Sequence, residues 1–576
     1  MSNLQIKQRP VTSPSINGLS RVMSRILSSR GVHNAQSLDY SLKNLLLPEG
    51  LSHIAAAADL LAEAVTAGAS IVIVGDFDAD GATSCALAVR ALEAMGCSDV
   101  RFLVPNRFEF GYGLTPEIVE IAALQKPALI VTVDNGISSV EGVAAAKKCG
   151  IAVLVTDHHL PPEVLPAADA IVNPNQTGCT FQSKALAGVG VTFYLMTALR
   201  SHLRDKGWFR ERGISEPNMA DYLDLVALGT VADVVPLDHN NRILVEQGLR
   251  RIRVGKTRPG IRALVEVAGR NCASLVASDL GFSVAPRLNA AGRLDDIAIG
   301  ISGLLTRDDD LALEIARELD GMNRDRRAIE TGMREEAEKS LDALVFDDKR
   351  LPVGICLHES GWHQGVVGIL ASRVKERFHR PVICFAPEDD TCATLKGSAR
   401  SIQGFHIRDA LDAIATSHPG LIDKFGGHAM AAGLSLQAQA YPAFAAAFDA
   451  LASQWLSSDD LHEVILTDGE LLAAETSLAQ ASMLEAAMPW GQQFPEPLFD
   501  GRFELVQQKI VGGQHLKLVV RPLQSSELFD GIAFNVDTAI WPDTAVAVVR
   551  LAYKLSVNRY RGRESVQLMI QHMEKQ

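Results

Sequence analysis

Residues 71–81 read Ile71-Val-Ile-Val-Gly-Asp-Phe-Asp-Ala-Asp-Gly81, an apolar run followed by three aspartates at alternate positions. Asp-x-Asp-x-Asp-Gly is also the start of an EF-hand calcium loop. An EF-hand has a glutamate at loop position 12, where this chain has Leu87, and a helix before the loop, where this chain predicts a strand. The stretch is therefore predicted to be a buried strand that carries Asp76, Asp78 and Asp80 at its carboxyl end.

Two further β-branched apolar runs, residues 129–133 and 151–155, also have the composition of strands buried on both faces of a parallel sheet. Helical patterns at 83–95, 116–124 and 140–149 separate the runs. The order strand, helix, strand, helix, strand predicts an open α/β sheet, which binds its ligands at the carboxyl ends of the strands.

Polar residues follow the second and third predicted strands as well. The second ends in Asp134-Asn-Gly136, and the third ends in Asp157-His-His159. Carboxylates a few Å apart in a partly buried site repel one another by several kcal/mol, so the cluster needs a cation. Oxygen ligands with one or two imidazoles suit Mn²⁺ or Mg²⁺, with about two ions sharing a bridging carboxylate. This composition predicts a two-metal phosphoesterase.

Asp233, in the sequence from Leu228 to Pro236, is a further candidate ligand. A carboxylate between Ala232 and Val234 is unusual unless it is paired or ligated. A helix N-cap explains Asp233 equally well.

Candidate substrate-binding residues lie in loops that contain glycine, arginine or small residues. Arg107 could clamp a phosphate and Tyr112 could stack on a base, although a surface loop turned by glycines also explains both. The others lie in the apolar loop predicted at 285–293, in the segment 398–400 and in the segment 424–433, where a predicted Gly-Gly turn suits a phosphate near backbone N–H groups. These candidates are Arg287, Asn289, Arg293, Ser398, Arg400, Gly426, Gly427 and His428.

The pattern along the chain predicts five regions. After residue 305, a charged stretch without proline predicts one long helix, or two helices joined near Gly321. A second α/β pattern follows, and short alternating runs near the end predict a small β-barrel or sandwich. The predicted boundaries are 1–50 for an N-terminal segment, 51–305 for the catalytic domain, 306–348 for the connecting helix, 349–457 for the substrate-binding domain and 458–576 for the barrel.

The composition is that of an ordinary soluble protein, with 576 residues, 47% of them hydrophobic, and a net charge of −13. Residues 501–576 hold ten Lys+Arg and seven Asp+Glu, so this region carries +3 and the remainder −16. The sequence predicts no membrane span and no secretory signal. Eight scattered cysteines without a CxxC pair predict reduced thiols in a cytoplasmic protein.

The predicted C-terminal strands carry a mixture of basic and aromatic residues, a composition that fits binding of single-stranded nucleic acid by a barrel. A solvated edge strand that charge keeps soluble is the rival interpretation. The residues are His515, Lys517, Arg521, Lys554, Arg559, Tyr560, Arg561 and Arg563.

Five motifs together resemble the DHH phosphoesterases, and among them the single-strand-specific exonucleases. They are Gly75-Asp-Phe-Asp-Ala-Asp-Gly81, Asp134-Asn-Gly-Ile-Ser138, Asp157-His-His159, Gly229-Thr-Val-Ala-Asp-Val-Val-Pro236 and, for the DHH-associated domain, Phe425-Gly-Gly-His-Ala-Met-Ala-Ala-Gly433. The resemblance implies an α/β fold: a parallel-sheet DHH domain and an α/β DHH-associated domain joined by a long helix, followed by an OB-like barrel.

The resemblance also implies a role for each motif residue. Asp134 would bridge two ions, Asp76 would be a ligand or lie beside them, and His159 would orient the site or contact the scissile phosphate. Some relatives have a histidine where this chain has Val74, so Asp76 or water would replace that ligand. The other implied ligands are Asp78, Asp80, His158 and Asp233, and the implied catalytic residues are Asp134, His158 and His159.

The implied activity is degradation of single-stranded DNA from the 5′ end to 5′-mononucleotides, in recombination and in mismatch and base-excision repair. Arg293, Ser398 and Arg400, with Arg107, would hold the 5′ phosphate. The implied partners are single-strand-binding protein and a helicase that supplies single strands. Two alternatives are a DHH enzyme for short oligoribonucleotides, cyclic dinucleotides or pyrophosphate, and a scaffold without metals that only binds DNA or replication proteins.

Overall fold

The computed structural model describes residues 4–12, 16–104, 113–343, 351–389, 392–560 and 562–576. The chain divides into two compact units. The large unit comprises Pro10–Arg324 and Asp468–Gln576, and the small unit comprises Met1–Arg9 and Asp325–Thr467.

The strands, in chain order, are β1 (Leu4–Gln8), β2 (Ile71–Gly75), β3 (Val100–Leu103), β4 (Leu129–Val133), β5 (Ala152–Thr156), β6 (Ala170–Val172), β7 (Ile355–His358), β8 (Val382–Pro387), β9 (Thr394–Arg400), β10 (Lys424–Gly427), β11 (Ala431–Gln437), β12 (Glu463–Thr467), β13 (Phe499–Val511), β14 (His515–Pro522), β15 (Phe529–Ala533), β16 (Val548–Tyr560) and β17 (Arg563–Lys575).

The α-helices are α1 (Arg21–Ser28), α2 (Ile54–Ala67), α3 (Ala79–Ala94), α4 (Pro116–Leu124), α5 (Val140–Lys148), α6 (Gly188–Asp205), α7 (Trp208–Arg212), α8 (Leu223–Ala232), α9 (His239–Arg253), α10 (Pro259–Val267), α11 (Ala277–Asp279), α12 (Ala285–Leu294), α13 (Ala298–Leu305), α14 (Asp309–Ala343), α15 (Gln364–Phe378), α16 (Ile407–Ser417), α17 (Tyr441–Trp455) and α18 (Leu478–Ala486).

A five-stranded parallel sheet of order β3-β2-β4-β5-β6 forms the centre of the large unit. Every residue of β2 and β4 is buried, which explains why neither strand alternates apolar with polar residues. The last residues of three neighbouring strands are in register, because Gly75 pairs with Val133 and Val133 pairs with Thr156. The residues after these strands therefore begin at the same level of one sheet edge.

Helix α3 begins at Ala79, four residues earlier than the sequence predicts. Asp78 is its N-cap and accepts hydrogen bonds from the N–H groups of Asp80 and Gly81. The aspartate motif is thus a strand-to-helix turn in which Asp80 already belongs to the first helical turn. The prediction of a helix from residue 83 was wrong at its start because the motif itself supplies the cap.

Residues 285–293, predicted as a loop, form most of helix α12. Pro286 lies in the first turn, where a helix tolerates proline, and Gly292 allows a close approach. A Cβ on Gly292 would lie 1.8 Å from the carbonyl oxygen of Phe77, so the glycine is required by packing and does not mark a turn. The loop interpretation was therefore wrong.

The small unit contains a mixed five-stranded sheet of order β10-β11-β9-β8-β7. Gly426 and Gly427 lie within β10, and residues 428–430 turn into β11. The predicted Gly-Gly turn was wrong, because both glycines pair with residues of β11. The turn itself lies at residues 428–430, directly after them. A two-stranded parallel ribbon of β1 and β12 belongs to the same unit.

Helix α14 is continuous over 35 residues, so the alternative of two helices joined at Gly321 was wrong. No Cβ contact restricts Gly321, and a helix tolerates such a glycine at a cost of about 1 kcal/mol. Its first residues belong to the large unit, and the residues from Asp325 onward belong to the small unit.

The C-terminal strands form a closed barrel of order β13-β14-β15-β17-β16, which decides between the predicted barrel and sandwich.

A buried ion pair in the large unit joins two residues that precede this barrel in the sequence. Nη1 of Arg30 lies 2.6 Å from Oδ1 of Asp468, and Nη2 donates to Oδ2 at 2.9 Å. The two side chains are 1% and 0% exposed.

No single helix in the described part of the chain has the length and apolar composition to cross a membrane. One pair, residues 42–50 and 54–67, satisfies that test only in combination and is bent by 86°.

The buried pair predicts a stability effect. Asp468→Ala should lower the free energy of unfolding by roughly 3–5 kcal/mol, because the guanidinium of Arg30 stays buried without its carboxylate. The matched control is Asp99→Ala, which removes an exposed pair with Arg101 and should change stability by no more than about 1 kcal/mol. Urea unfolding of both variants measures the difference. If both variants lose the same free energy of unfolding, burial of the Arg30–Asp468 pair does not raise the cost of breaking it.

Candidate metal centre

Asp134 follows β4 in a left-handed backbone conformation, with φ of 63°. This conformation is uncommon outside glycine, although aspartate and asparagine tolerate it. The neighbouring Asn135 stabilises the turn, because its Nδ2 donates to the carbonyls of Val74 and Val133. The carboxylate of Asp134 is therefore held at the junction of the two central strands, buried beneath the site.

Asp80 is anchored by the first turn of helix α6. Its two carboxylate oxygens accept hydrogen bonds from the N–H groups of Gly188, at 2.6 Å, and Val189, at 2.9 Å. A Cβ on Gly188 would lie 2.5 Å from Oδ1 of Asp134, so only glycine allows this approach. The sequence interpretation missed Gly188, whose only signal was the short Gly-Val-Gly run before an apolar helix.

His158 faces two carboxylates. Its Nε2 lies 3.1 Å from Oδ1 of Asp134 and 3.4 Å from Oδ2 of Asp233. Asp233 follows the last residue of α8, at the carboxyl end of that helix, so the N-cap alternative was wrong. Oδ2 of Asp233 and Nε2 of His158 are buried without a hydrogen-bond partner among the described residues. A nitrogen and an oxygen lone pair that face each other in a buried site, with no hydrogen-bond donor between them, are suited to binding a cation.

The six predicted ligands divide into two groups of three, in which all ligand atoms lie within 4.8 Å of one another. One group is Asp76, Asp78 and Asp134, and the other is Asp80, His158 and Asp233. A third combination joins Asp134 with His158 and His159. Carboxylate oxygens with one imidazole are the donors that Mn²⁺ and Mg²⁺ take, so the residues fit such ions.

Burial and mutual repulsion raise the pKa values of these carboxyl groups. Burial, and next the charge of Asp78, raise the pKa of Asp76 and of Asp80 to about 7. Burial and the charge of Asp80 raise the pKa of Asp233 to about 9, and that of Asp134 well above its usual range. Without a cation, the site therefore retains protons at neutral pH.

The two adjacent histidines differ in charge. Burial, and next the neighbouring His159, lower the pKa of His158 to about 4, so its ring is neutral at pH 7. Burial also opposes the charge of His159, but its Nδ1 hydrogen bond to Asp157, at 2.7 Å, and nearby carboxylates raise its pKa to about 9. The sequence interpretation did not include Asp157 among the site residues, although it belongs to the same motif.

Asp157 organises the end of β5. Its Oδ1 accepts from the N–H groups of His158 and His159, and its Oδ2 accepts from the N–H of Ile137. Burial disfavours its charge, but the hydrogen bond and charge of His159 lower its pKa below the usual range. Asp157 thus stays ionised, orients the imidazole of His159 and fixes the backbone of both histidines.

The predicted substrate residues of the large unit have different environments. Asn289 contacts the metal-site turn directly, since its Oδ1 accepts from the N–H of Ala79 at 2.7 Å. Arg293 is exposed on the last turn of α12. Arg287 is buried and donates to Asp320 and to the carbonyl of Ser283, so we assign it a structural role. Arg107 and Tyr112 lie outside the described residues.

The predicted residues of the small unit meet on one sheet. Nη1 of Arg400 donates to Oγ of Ser398 at 3.1 Å on β9. Strand β11 pairs with β9 on one side and with β10, which carries Gly426 and Gly427, on the other. The N–H of His428 closes the hairpin by donating to the carbonyl of Ala431. Burial lowers the pKa of Arg400, because the charged guanidinium is partly removed from water. A bound anion would compensate for this loss of solvation.

Several basic residues of the barrel already have acidic partners. Arg521 pairs with Glu504, Lys554 pairs with Glu496, and Arg559 contacts a glutamate on α18. Lys517 is exposed on β14, whereas Arg561 lies outside the described residues. The barrel therefore offers fewer unpaired cations than its composition predicts.

Three regions match known domain families. Residues 70–230 match the DHH family, N-terminal domain, residues 350–454 match the DHHA1 domain, and residues 467–572 match the RecJ OB domain. The single-stranded-DNA-specific exonuclease RecJ of Dickeya dadantii (strain 3937) is 58% identical over 570 residues, which cover 99% of each chain. The same-named protein of Escherichia coli (strain K12) is 55% identical over 572 residues, again 99% of each.

The chain belongs to the RecJ family. The predictions of the DHH family, of an exonuclease class and of the fold class are confirmed by these matches. The crystal structure of RecJ from Thermus thermophilus in complex with Mn²⁺ matches with a TM-score of 0.76 and 29% identity, covering 100% of this chain and 80% of that one. Its Mg²⁺ complex matches with a TM-score of 0.71 and 28% identity, covering 100% and 79%. The predicted Mn²⁺ or Mg²⁺ is confirmed by these complexes and by the acidic cluster.

The contact between Gly188 and Asp134 predicts that Gly188→Ala weakens Mn²⁺ binding by about ten- to a hundredfold, because the new methyl group displaces the turn that anchors Asp80. Calorimetric titration of the folded variant measures this change. Gly190→Ala is the matched control, since its Cβ would lie 3.1 Å from the flexible end of Leu186. An unchanged affinity in Gly188→Ala would refute the constraint.

The raised carboxyl pKa values predict a pH effect. Below pH 7, Asp76 and Asp80 hold protons that Mn²⁺ must displace, so metal affinity should fall as the pH falls. The folded carboxyls also bind protons more tightly than the unfolded ones, so the metal-free protein should lose stability as the pH rises from about 4 to 7. The increase in melting temperature with Mn²⁺ should therefore be larger at pH 8 than at pH 6, each measured against EDTA. Equal increases would contradict this.

Proposed function

We propose that this chain is a metal-dependent 5′-to-3′ exonuclease that degrades single-stranded DNA to 5′-mononucleotides. The observation that carries the proposal is the convergence of six ligand side chains from three strand ends and helix α8 into two adjacent groups. Its RecJ relatives are named single-stranded-DNA-specific exonucleases. We propose that two ions bind here, with Asp134 between them.

When bound, divalent cations would supply Lewis acidity that activates water and offsets charge on the phosphate. The protein side chains have separate tasks. Asp80 and Asp134 keep fixed positions through their backbone contacts. Asp157 holds His159 in its protonated form, and we propose that this imidazolium donates a hydrogen bond to the scissile phosphate.

Polarity requires a group that recognises the 5′ end. We propose that Ser398 and Arg400 hold the 5′ phosphate, and that Gly426, Gly427 and His428 contribute from the neighbouring hairpin. The Arg400 guanidinium is half-buried beside the Ser398 hydroxyl and has no carboxylate in an ion pair among the described residues. A half-buried arginine and a hydroxyl suit a phosphate monoester.

The closed barrel favours long strands over the small substrates of other DHH enzymes, because a nucleotide-sized ligand does not need a separate barrel. We further propose roles in recombination, mismatch repair and base-excision repair. A helicase would supply the single strands, and single-strand-binding protein would accompany them. We also propose a cytoplasmic location, where the cysteines of this chain would stay reduced.

Product analysis on end-labelled single strands tests the chemistry. With Mn²⁺, the wild type should release mononucleotides from the 5′ end and leave duplex intact. Asp134→Asn should lower the rate by at least about a hundredfold, because it removes a shared ligand while asparagine still accepts the left-handed backbone. Asp205→Asn, at an exposed carboxylate, is the control and should be unaffected. Release from the 3′ end, or hydrolysis of dinucleotides alone, would refute the proposal.

Arg400→Ala tests the polarity determinant. The variant should lose the preference for a 5′-phosphorylated end over a 5′-hydroxyl end, mainly through a higher KM for the phosphorylated strand. Arg408→Ala, which removes an exposed arginine of the same unit, is the matched control. If Arg400→Ala retains the full preference, the 5′ phosphate is held elsewhere.

A further inference from the structure

A basic cleft of about 400 Å³ lies in the large unit. Arg90, on the last turns of α3, is one of its lining residues. Arg90 lies ten residues after Asp80 on that helix, roughly 15 Å along its axis. The cleft is therefore separate from the metal centre, which lies at the first turn of α3. Five cations line it: Arg90, Arg251, Lys256, Arg258 and Arg307.

Two acidic residues neutralise only part of this charge. Asp224 is buried and accepts from Arg258 and from the hydroxyl of Thr257, and Asp221 pairs with Arg251. Arg90 donates to the carbonyls of Leu305 and Thr306, which carry no net charge.

Three cations of the cleft therefore lack a close carboxylate. In the described part of the chain, neither Arg90 nor Lys256 forms an ion pair. Arg307 reaches Glu93 only at 4.0 Å. The cleft keeps a net positive charge in a chain of net charge −13.

The arginines of the cleft are held in place. The side chain of Arg258 is 10% exposed, and Nε of Arg90, Arg251 and Arg258 is buried without a hydrogen-bond partner among the described residues. Burial, and next the charges of Arg258 and Arg307, lower the pKa of Arg90, so these cations repel one another. Fixed, mutually repelling cations with spare donors are a preorganised anion site.

A helix terminus adds to this field. Helix α10 begins at Pro259 on the wall of the cleft, and no side chain caps its first turn. The N–H groups and the positive end of the helix dipole therefore favour a negative charge at this point.

We propose that this basic cleft is a second phosphate-binding site of the protein, separate from the metal centre. The ligand is a phosphate group, from either a free nucleotide or the backbone of a DNA strand. Guanidinium groups at fixed spacing bind phosphate oxygens in pairs, whereas the described residues that line the cleft form no apolar wall that would select an uncharged ligand.

The test uses the double variant Lys256→Glu/Arg307→Glu, since both side chains are exposed. The charge-matched control is Lys43→Glu/Lys148→Glu, at two exposed lysines that do not line the cleft. Inorganic phosphate and 5′-dAMP are titrated calorimetrically in EDTA into each protein. The same titrations in an Arg400→Ala background separate this cleft from the proposed 5′-phosphate site. Turnover of a short 5′-phosphorylated strand with Mn²⁺ verifies that the variants with an intact Arg400 are folded and active, and the melting temperature verifies that the variants with Arg400→Ala are folded.

The wild type and the control should bind the probes alike, and Lys256→Glu/Arg307→Glu should bind them at least about tenfold more weakly. The difference should persist in the Arg400→Ala background, where the proposed 5′-phosphate site no longer contributes. Affinity for a 40-nucleotide single strand as a function of salt distinguishes the source of the phosphate. If the phosphate belongs to the DNA backbone, the slope of log affinity against log salt concentration should be smaller in Lys256→Glu/Arg307→Glu by about 1.4, which is about 0.7 for each of two lost contacts. If the ligand is a free nucleotide, this slope should be unchanged. If neither the probes nor the strand binds differently to the double variant, the proposal is overturned.

Discussion

Repulsion among buried carboxylates shapes the carboxyl edge of the parallel sheet and the contacts that surround it. The parallel sheet aligns Gly75, Val133 and Thr156, so the residues that follow these strands cannot avoid one another. The result is a set of acidic side chains whose pKa values are raised by burial and by each other. Binding of a cation at this edge is therefore coupled to the release of protons and of electrostatic strain.

The surrounding backbone holds the carboxylates in a geometry that they would not adopt unaided. Two N–H groups at the start of α6 bind Asp80, and Asn135 braces the left-handed turn at Asp134. Asp157 in turn orients the histidines. These contacts explain why Gly188 is as important to the metal centre as a ligand. Any side chain at this position would push the carboxylate of Asp134 away from His158.

Charge is arranged oppositely at the two ends of helix α3. Its first turn carries Asp78 and Asp80, and its last turns carry Arg90 in a cleft lined by further cations. An acidic net charge thus says little about where anions bind, because local fields decide recognition. Cations bind at one end of the helix, and the basic cleft at the other end suits phosphate.

The buried strands, the order of the α/β elements and the carboxylates at the strand ends are predictable from the sequence alone, because apolar runs and turn residues are local signals. It also predicted Asp233 and His158, but the contact between them depends on α8 returning to the sheet edge. Three features emerge only in the folded protein: residues 285–293 are helical, Arg287 pairs with Asp320, and Gly188 supports the metal centre. These features arise from close packing between segments far apart in sequence, and no local pattern encodes such distances.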